Sequence, residues 1–194
     1  YIEVSAAKTI YNGKTASLAY LRDVSERKRL EQQLQTMSLT DELTGLYNRR
    51  GFITLAEQQL KIAERAKKDM LLYFIDLDKM KQINDVFGHQ EGDKALVEVA
   101  KILKEVFRES DIIGRMGGDE FAVLVIDAPD EVRNILTNRF HNILERHNSL
   151  ETRNYKLLLS IGVARYNHEA HCSLDELIKE ADTHMYEEKR NKKY

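Results

Sequence analysis

The amino-acid sequence predicts an α+β protein, a mixed α/β sandwich in which helices flank a central, mostly antiparallel sheet. Short apolar runs alternate along the chain with segments whose apolar residues recur at helical spacing. Two adjacent glycines separate two of the apolar runs, as expected for a hairpin within the sheet. The resulting order is helix, strand, helix, strand, strand, helix, strand, helix, which is typical of helices packed on a sheet.

The first 24 residues predict a β-hairpin. Residues 2–10 and 15–21 are rich in strand-forming residues and flank Asn12-Gly13, a strong hairpin signal. A lone hairpin is marginally stable in water. We therefore expect these strands to end a sheet whose remainder is missing, and the chain to begin inside a longer protein.

Residues 25–40 predict a helical linker that resembles a short coiled coil. Asp23 or Ser25 is suited to cap the helix. Leu30, Leu34 and Met37 are spaced as in a short dimeric seam, although heptads normally persist longer than three positions.

Residues 41–194 contain the main alternation of helices and strands. The last helix opens with the capping box Ser173 to Glu176. Helices are predicted at 49–67, 92–107, 131–147 and 173–190, and strands at 70–77, 112–115, 121–126 and 156–164.

The composition narrows the classes of function. A net charge of -2 over 194 residues gives no basic footprint, so we expect no nucleic-acid partner. The apolar runs are too short to cross a bilayer, and no signal peptide is visible. The single Cys172 excludes an internal disulfide. We expect a cytoplasmic domain without a membrane segment, in a full-length protein that other segments are able to anchor to a membrane.

Acidic residues are concentrated where two predicted strands end. Asp76 and Asp78 close the strand at 70–77, and Asp119 and Glu120 follow Gly117-Gly118 in the hairpin. If these strands are neighbours, like charges converge at one edge of the sheet, and a hard cation such as Mg²⁺ relieves their repulsion. The alternative is a solvated Gly-Gly hairpin with acids on the surface.

The stretch RMGGDEF (115–121) resembles the signature of the GGDEF family, the diguanylate cyclases. DELTGLYNRRGF, DLDKMKQINDVFGHQEGDKAL, LSIGVA and ADTHMYEEKRNKK are similar to further family segments in the expected order. The resemblance covers roughly residues 38–194. It implies a fold like the palm of nucleotidyl cyclases and polymerases.

The resemblance implies a reaction that condenses two GTP molecules into cyclic di-GMP and releases two pyrophosphates. Mg²⁺, with Mn²⁺ as a possible substitute, would be held by Asp76, the Leu77 carbonyl, Asp119 and Glu120. Asp119 is also a candidate to help deprotonate the 3′-hydroxyl. Arg115 completes the implied catalytic set with Asp119 and Glu120.

The resemblance also implies a substrate site. Asn84 and Asp93 match the family's guanine-binding positions, and helix capping is the alternative for both. Lys189 and Lys193 match positions that bind the triphosphate, with a solvated basic tail as the alternative. The remaining implied substrate contacts are His89, Gly117 and Gly118, with Lys81 as a weaker candidate. For His89 the alternative is a structural role that bridges loops.

Arg108-x-x-Asp111 matches the family's product-inhibition site, at which cyclic di-GMP binds as an inhibitor. An arginine fork is able to grip the Hoogsteen edge of guanine or stack on a base. Arg139 falls near a second arginine that the family uses from a partner domain. The alternative for R-x-x-D is a common ion pair at a helix end.

The resemblance suggests three parts: residues 1–24 similar to the last hairpin of a PAS sensor, the linker at 25–40, and the cyclase domain at 41–194. Each catalytic domain would bind one GTP, so synthesis implies a homodimer. The alternative that stays open is a non-catalytic module that binds GTP or cyclic di-GMP, whereas a purely structural dimerisation domain would not explain the intact acid cluster.

Overall fold

A computed structural model describes the chain except for residues 27, 30–37, 151–152, 170–171 and 193–194. It divides into two compact units, Tyr1–Ser38 and Leu39–Tyr194.

The first unit contains one antiparallel hairpin. Strands β1 (Ile2–Tyr11) and β2 (Lys14–Asp23) pair in continuous register from Ile2–Asp23 to Tyr11–Lys14. Asn12 and Gly13 form the turn at φ 50° and 74°, the left-handed backbone that favours Asn-Gly in two-residue turns. Most of the predicted linker, including its three seam positions, lies outside the described residues.

The second unit contains five strands and five helices within the described residues. The strands are β3 (Tyr47–Asn48), β4 (Met70–Leu77), β5 (Ile112–Gly117), β6 (Glu120–Val125) and β7 (Leu159–Tyr166). The helices are α1 (Arg49–Ala66), α2 (Met80–Phe87), α3 (His89–Val106), α4 (Val132–Leu150) and α5 (Leu174–Asn191). None of the helices that the structure describes is long and apolar enough to cross a membrane.

The sheet is mostly antiparallel, as predicted. Its strand order is β3-β5-β6-β4-β7, and only β3 runs parallel to its neighbour β5. Strand β4 lies between β6 and β7, and all eight of its residues are buried.

Helices cover both faces of the sheet, which confirms the predicted α+β sandwich. Alternate β4 side chains such as Leu71 and Ile75 pack with α3 and α4. The intervening side chains, such as Leu72 and Phe74, pack with α1 and α5. Each face is therefore apolar along β4, and polar groups are displaced to the strand ends.

Three differences from the predicted elements have physical causes. A short helix, α2, precedes α3, and Gly88 at φ 88° separates the two. The two-residue strand β3 was not predicted, because its length leaves no periodic pattern. Strand β7 begins at Leu159 instead of residue 156, since the backbone N–H and carbonyl of Leu157 pair with the side chain of Asn148.

Candidate functional site

The predicted acidic residues meet where β4 ends. Asp76 of β4 lies directly opposite Glu120 of β6 in the antiparallel register. The Leu77 N–H donates to the Asp119 carbonyl oxygen at 3.0 Å. The apolar runs that form β4 and β6 thus bring the acids of two separate sequence segments to one edge of the sheet.

The electrostatic surroundings of this acidic edge disfavour ionised carboxylates. Burial, followed by the charges of Asp119 and Asp78, raises the pKa of Asp76 even though Lys189 opposes the shift. Burial and the charges of Asp76, Asp119 and Asp182 raise the pKa of Glu120. A positive ligand at this edge would therefore relieve an existing repulsion.

The donor set at the acidic edge fits a hard divalent cation. Carboxylate and carbonyl oxygens are the ligands that Mg²⁺ takes in proteins, where it typically retains waters and shares phosphate oxygens. However, among the described residues no three His, Cys, Asp or Glu side chains form a group arranged to hold an ion. Strand pairing places the acidic backbone positions together, whereas the Lys189 ammonium takes up one oxygen of Asp76 at 2.6 Å.

The Gly-Gly turn and Arg115 form a braced loop beside these acids. Gly117 and Gly118 have φ values of 150° and 51°, and a Cβ at either position would meet only open space. The missing side chains therefore permit the backbone conformation and leave the turn accessible to a ligand.

The Arg115 guanidinium bridges two segments of the chain. Its Nε and Nη2 donate to the Gly118 carbonyl at 3.0 and 2.7 Å, and its Nη1 lies 3.2 Å from Asp41 Oδ2. Asp41 also accepts hydrogen bonds from the N–H and hydroxyl of Thr44. Burial acts to raise the pKa of Asp41, but Thr44 and Arg115 outweigh it and hold that pKa below its usual range. The bridge links the DELT turn to the signature loop.

Lys189 of α5 and Lys192, which follows the last residue of α5, reach the end of β4. Lys189 pairs with Asp76, and although burial opposes it, this contact raises the pKa of Lys189. Lys192 lies 3.7 Å from Asp78 and donates to the Leu159 carbonyl. Lys193 lies outside the described residues.

The predicted guanine-binding residues lie on the α2–α3 helix pair. The Asn84 Oδ1 atom is buried and has no hydrogen-bond partner among the residues that the structure describes. A Cβ on Gly92 would lie 2.0 Å from this atom, so glycine makes room for the Asn84 side chain. Asp93 is exposed on α3 and lines a cavity of about 390 Å³, and His89 is exposed at the start of the same helix.

The Arg108–Asp111 segment forms a turn between α3 and β5. Asp111 accepts from the Arg108 N–H at 2.9 Å and from the Ile126 N–H at 3.2 Å. Its carboxylate thus caps the turn through backbone amides. Arg108 is exposed and, together with Asp111, lines a cavity of about 490 Å³. Arg139 of α4 donates to the carbonyl of Glu105, which lies near the end of α3.

The structure adds residues that sequence reasoning did not assign to the site. Asp41 braces Arg115 from 74 positions away. The family motif indicated Lys193 as a triphosphate-binding residue and not its neighbour Lys192. For Asp78, which was already expected among the acids of this edge, the new finding is its partner, since this 2% exposed residue accepts from the buried Ser160 hydroxyl. The DELT segment and the basic end of α5 were visible signals, but no local pattern indicates which distant partner each side chain meets.

Comparisons with known proteins identify the family of this chain. A family model described as diguanylate cyclase, GGDEF domain, matches residues 38–194. The probable diguanylate cyclase DgcC of Escherichia coli strain K12 is 38% identical over 167 residues, which is 86% of this chain and 44% of that protein. The chain thus spans less than half the length of this curated relative.

A solved structure and a second relative extend the comparison. The crystal structure of the coiled coil and GGDEF domain of DgcB from Caulobacter crescentus, in complex with c-di-GMP, aligns at a TM-score of 0.71 and 26% identity. The alignment covers 86% of this chain and 90% of that one. The cyclic di-GMP phosphodiesterase NbdA of Pseudomonas aeruginosa is 34% identical over 80% of this chain and 20% of its own length. On the match to residues 38–194, the chain belongs to the GGDEF diguanylate cyclase family.

Proposed function

We propose that residues 41–194 of this GGDEF family member condense two GTP molecules into cyclic di-GMP, in a Mg²⁺-dependent reaction that releases two pyrophosphates. The observation that carries the proposal is the register of Asp76 with Glu120, next to the open Gly117-Gly118 turn. The buried Asp76 carboxylate, beside the partly buried Asp119 and Glu120 at a ligand-accessible turn, suits a site for a metal and phosphates.

Four residues would hold the cation: Asp76, Asp119 and Glu120 through their carboxylates, and Leu77 through its carbonyl. When bound, Mg²⁺ or Mn²⁺ would neutralise phosphate charge and lower the pKa of the attacking 3′-hydroxyl. Asp119, at the exposed turn, is suited to accept that hydroxyl's proton. Arg115 acts as a positioning residue, because its guanidinium already holds Gly118 and Asp41.

Lys189 and Lys192 would bind the triphosphate. Lys189 lies at the acidic edge and exchanges Asp76 for phosphate oxygens when the nucleotide arrives. Lys192 is close enough to Asp78 to share this role, and Lys193 is proposed for it on the family motif alone.

Guanine would be recognised by the α2–α3 pair. Asn84 Oδ1, which has no hydrogen-bond partner among the described residues, is an acceptor of the kind that a base N–H requires. The Asp93 carboxylate is able to accept from guanine N1–H and from its exocyclic amine, and adenine offers no matching pair of donors. His89, at the start of α3, would support this end of the site.

Product inhibition is proposed at Arg108, with Asp111 shaping the turn and Arg139 nearby. The adjoining cavity of about 490 Å³ supports a ligand there. Because each chain would bind one GTP, synthesis requires two chains with facing sites. We also propose that residues 1–24 end a PAS-like sensor and that residues 25–40 link it to the cyclase within a cytoplasmic signalling protein.

The competing proposal is a non-catalytic module that binds GTP or cyclic di-GMP. This proposal is supported by the similarity of the chain to a protein that is named a cyclic di-GMP phosphodiesterase and not a cyclase. The intact acids at positions 76, 119 and 120 favour the cyclase.

Product analysis tests the proposal. The chain is incubated with GTP and Mg²⁺ at several protein concentrations, beside Asp119→Ala and the matched control Asp130→Ala, which replaces an exposed aspartate. The proposal predicts cyclic di-GMP from the wild type and the control, none from Asp119→Ala, and specific activity that rises with concentration. No product at any concentration, together with tight cyclic di-GMP binding, would favour the non-catalytic module.

A further inference from the structure

The segment 153–158, between α4 and β7, borders the cavity that contains the proposed guanine-binding Asp93. Tyr155 and Arg153 line this cavity of about 390 Å³ together with Asp93 and with Leu43 of the DELT turn. The segment lies outside every motif that carries the family resemblance, so no role in nucleotide binding follows from those motifs.

Tyr155 joins the two helices that bear the proposed guanine-binding residues. Its ring lies against the ring of Phe87, the last residue of α2, with the centroids 5.2 Å apart. Its hydroxyl donates to the Glu91 carbonyl, in the first turn of α3, at 3.2 Å. Phe87 follows Asn84 by three positions, and Glu91 precedes Asp93 by two. Tyr155 thus contacts both helices close to both binding residues.

The junction between these helices is held by tertiary packing, since Ile83 of α2 lies in the same apolar cluster as Ala95 and Leu96 of α3. Helix α2 has only eight residues, and helices this short are unstable in isolation. Gly88 connects it to α3 at φ 88°, and no side chain caps the start of α3. The angle between α2 and α3, which sets the distance from Asn84 to Asp93, therefore depends on tertiary contacts.

The base of the segment is fixed on α4. Asn148 accepts from the Leu157 N–H at 2.8 Å and donates to the Leu157 carbonyl at 2.9 Å. Arg153 donates to the Asn148 side chain at 3.2 Å, and its guanidinium lies 5.8 Å from the centre of the Tyr155 ring. The segment is thereby anchored on α4, while Tyr155 contacts α2 and α3.

We propose that Tyr155 is a positioning residue for guanine recognition, which fixes α2 against α3 so that Asn84 and Asp93 engage one base together. The proposal rests on the proposed function. Errors of about 1 Å in such placement are costly, since a bound base must meet both residues in the same geometry. Loss of Tyr155 would weaken the preference for guanine without removing any group that touches it.

The test measures kcat and KM for GTP and for inosine triphosphate, which lacks the exocyclic amine, in the full chain. Tyr155→Ala removes the ring contact and the hydroxyl, whereas Tyr155→Phe removes only the hydroxyl. Tyr20→Ala is the matched control, since Tyr20 is exposed in the separate hairpin unit. Thermal unfolding of each variant reports on folding.

We expect Tyr155→Ala to raise the KM for GTP. The preference for GTP over inosine triphosphate, as the ratio of their kcat/KM values, should fall by about 10-fold in Tyr155→Ala and by less in Tyr155→Phe. A merely structural role would lower kcat for both nucleotides equally and leave the preference intact, and that result overturns the inference. If the wild type itself turns over neither nucleotide, the proposed function fails and this inference with it. If the wild type prefers GTP and Tyr155→Ala is equally selective, the inference is refuted while the proposed function stands.

Discussion

Asp76 at the end of β4 and Asp111 before β5 are each 7% exposed, yet their surroundings differ. Asp111 accepts hydrogen bonds from two backbone amides, so its carboxylate is satisfied within the fold. Asp76 faces Glu120, Asp119 and Asp78, and the pKa of its carboxyl is raised by burial and by these charges. Asp111 is thus a buried aspartate that caps a turn, whereas Asp76, although paired with Lys189, is the one proposed to meet a ligand.

The largest expected effect follows from replacing Asp76, whose carboxylate pairs with Lys189 and lies among other acids. Asp76→Asn keeps the shape of the side chain but removes a proposed metal ligand, so we expect kcat/KM to fall on the order of 10³-fold. Because the ionised form is disfavoured in the fold, the free energy of unfolding should change by less than about 1 kcal/mol. Steady-state kinetics and urea unfolding measure the two quantities, with Asp130→Asn as control. Large losses of both activity and stability would erase the contrast with Asp111.

The brace beside the acidic edge provides the next prediction. Arg115→Lys leaves one ammonium where a planar fork held both Gly118 and Asp41, so kcat should fall about 10- to 100-fold. Arg65→Lys, at an exposed position on α1, should leave kcat unchanged. Equal kcat for Arg115→Lys and wild type would show that the signature loop does not need this bridge.

The Arg108–Asp111 turn should respond in the opposite way to the acidic edge. Asp111→Ala leaves buried backbone amides unpaired, and we expect it to lower the free energy of unfolding by about 1–3 kcal/mol while the folded fraction keeps its basal activity. Arg108→Ala removes an exposed side chain and should retain wild-type stability. Inhibition by added cyclic di-GMP should be lost in both. An Asp111→Ala chain as stable as the wild type would contradict the structural role assigned to this carboxylate.

The smallest effect concerns an aspartate outside both regions. Hydrogen bonds from Arg165 and His168 hold the pKa of Asp69 at about 2. Since this lies below its unfolded value, Asp69 stabilises the fold above about pH 4, and the contribution is lost as pH falls toward 2. Asp69→Asn should cost less than about 1 kcal/mol at pH 5 and less still at pH 3, as measured by urea unfolding. A difference that grows on acidification would contradict the sign.

The sequence predicted the framework of this comparison because the framework is local. Uninterrupted apolar runs specified β4 and β6, and the Gly-Gly pair specified the hairpin that joins β5 to β6. The sheet register then followed from burial of both faces, which places Asp76 opposite Glu120.

The parts that were not predicted depend on contacts between distant residues. The contact between Asp41 and Arg115 lies beside the pairing of β3 with β5. The capping role of Asp111 requires the amide of Ile126, and the late start of β7 requires Asn148. The separate helix α2 depends on the backbone at Gly88, whose conformation no periodic pattern indicates.

The central claim is that the Asp76 edge is retained for a cation and a nucleotide. We would measure the unfolding free energy of wild type and Asp76→Asn with a non-hydrolysable GTP analogue, without and with Mg²⁺. A ligand that binds only the folded state stabilises it. The account predicts an additional Mg²⁺-dependent stabilisation in the wild type that is absent from Asp76→Asn. The same Mg²⁺-dependent increment in both chains would contradict it.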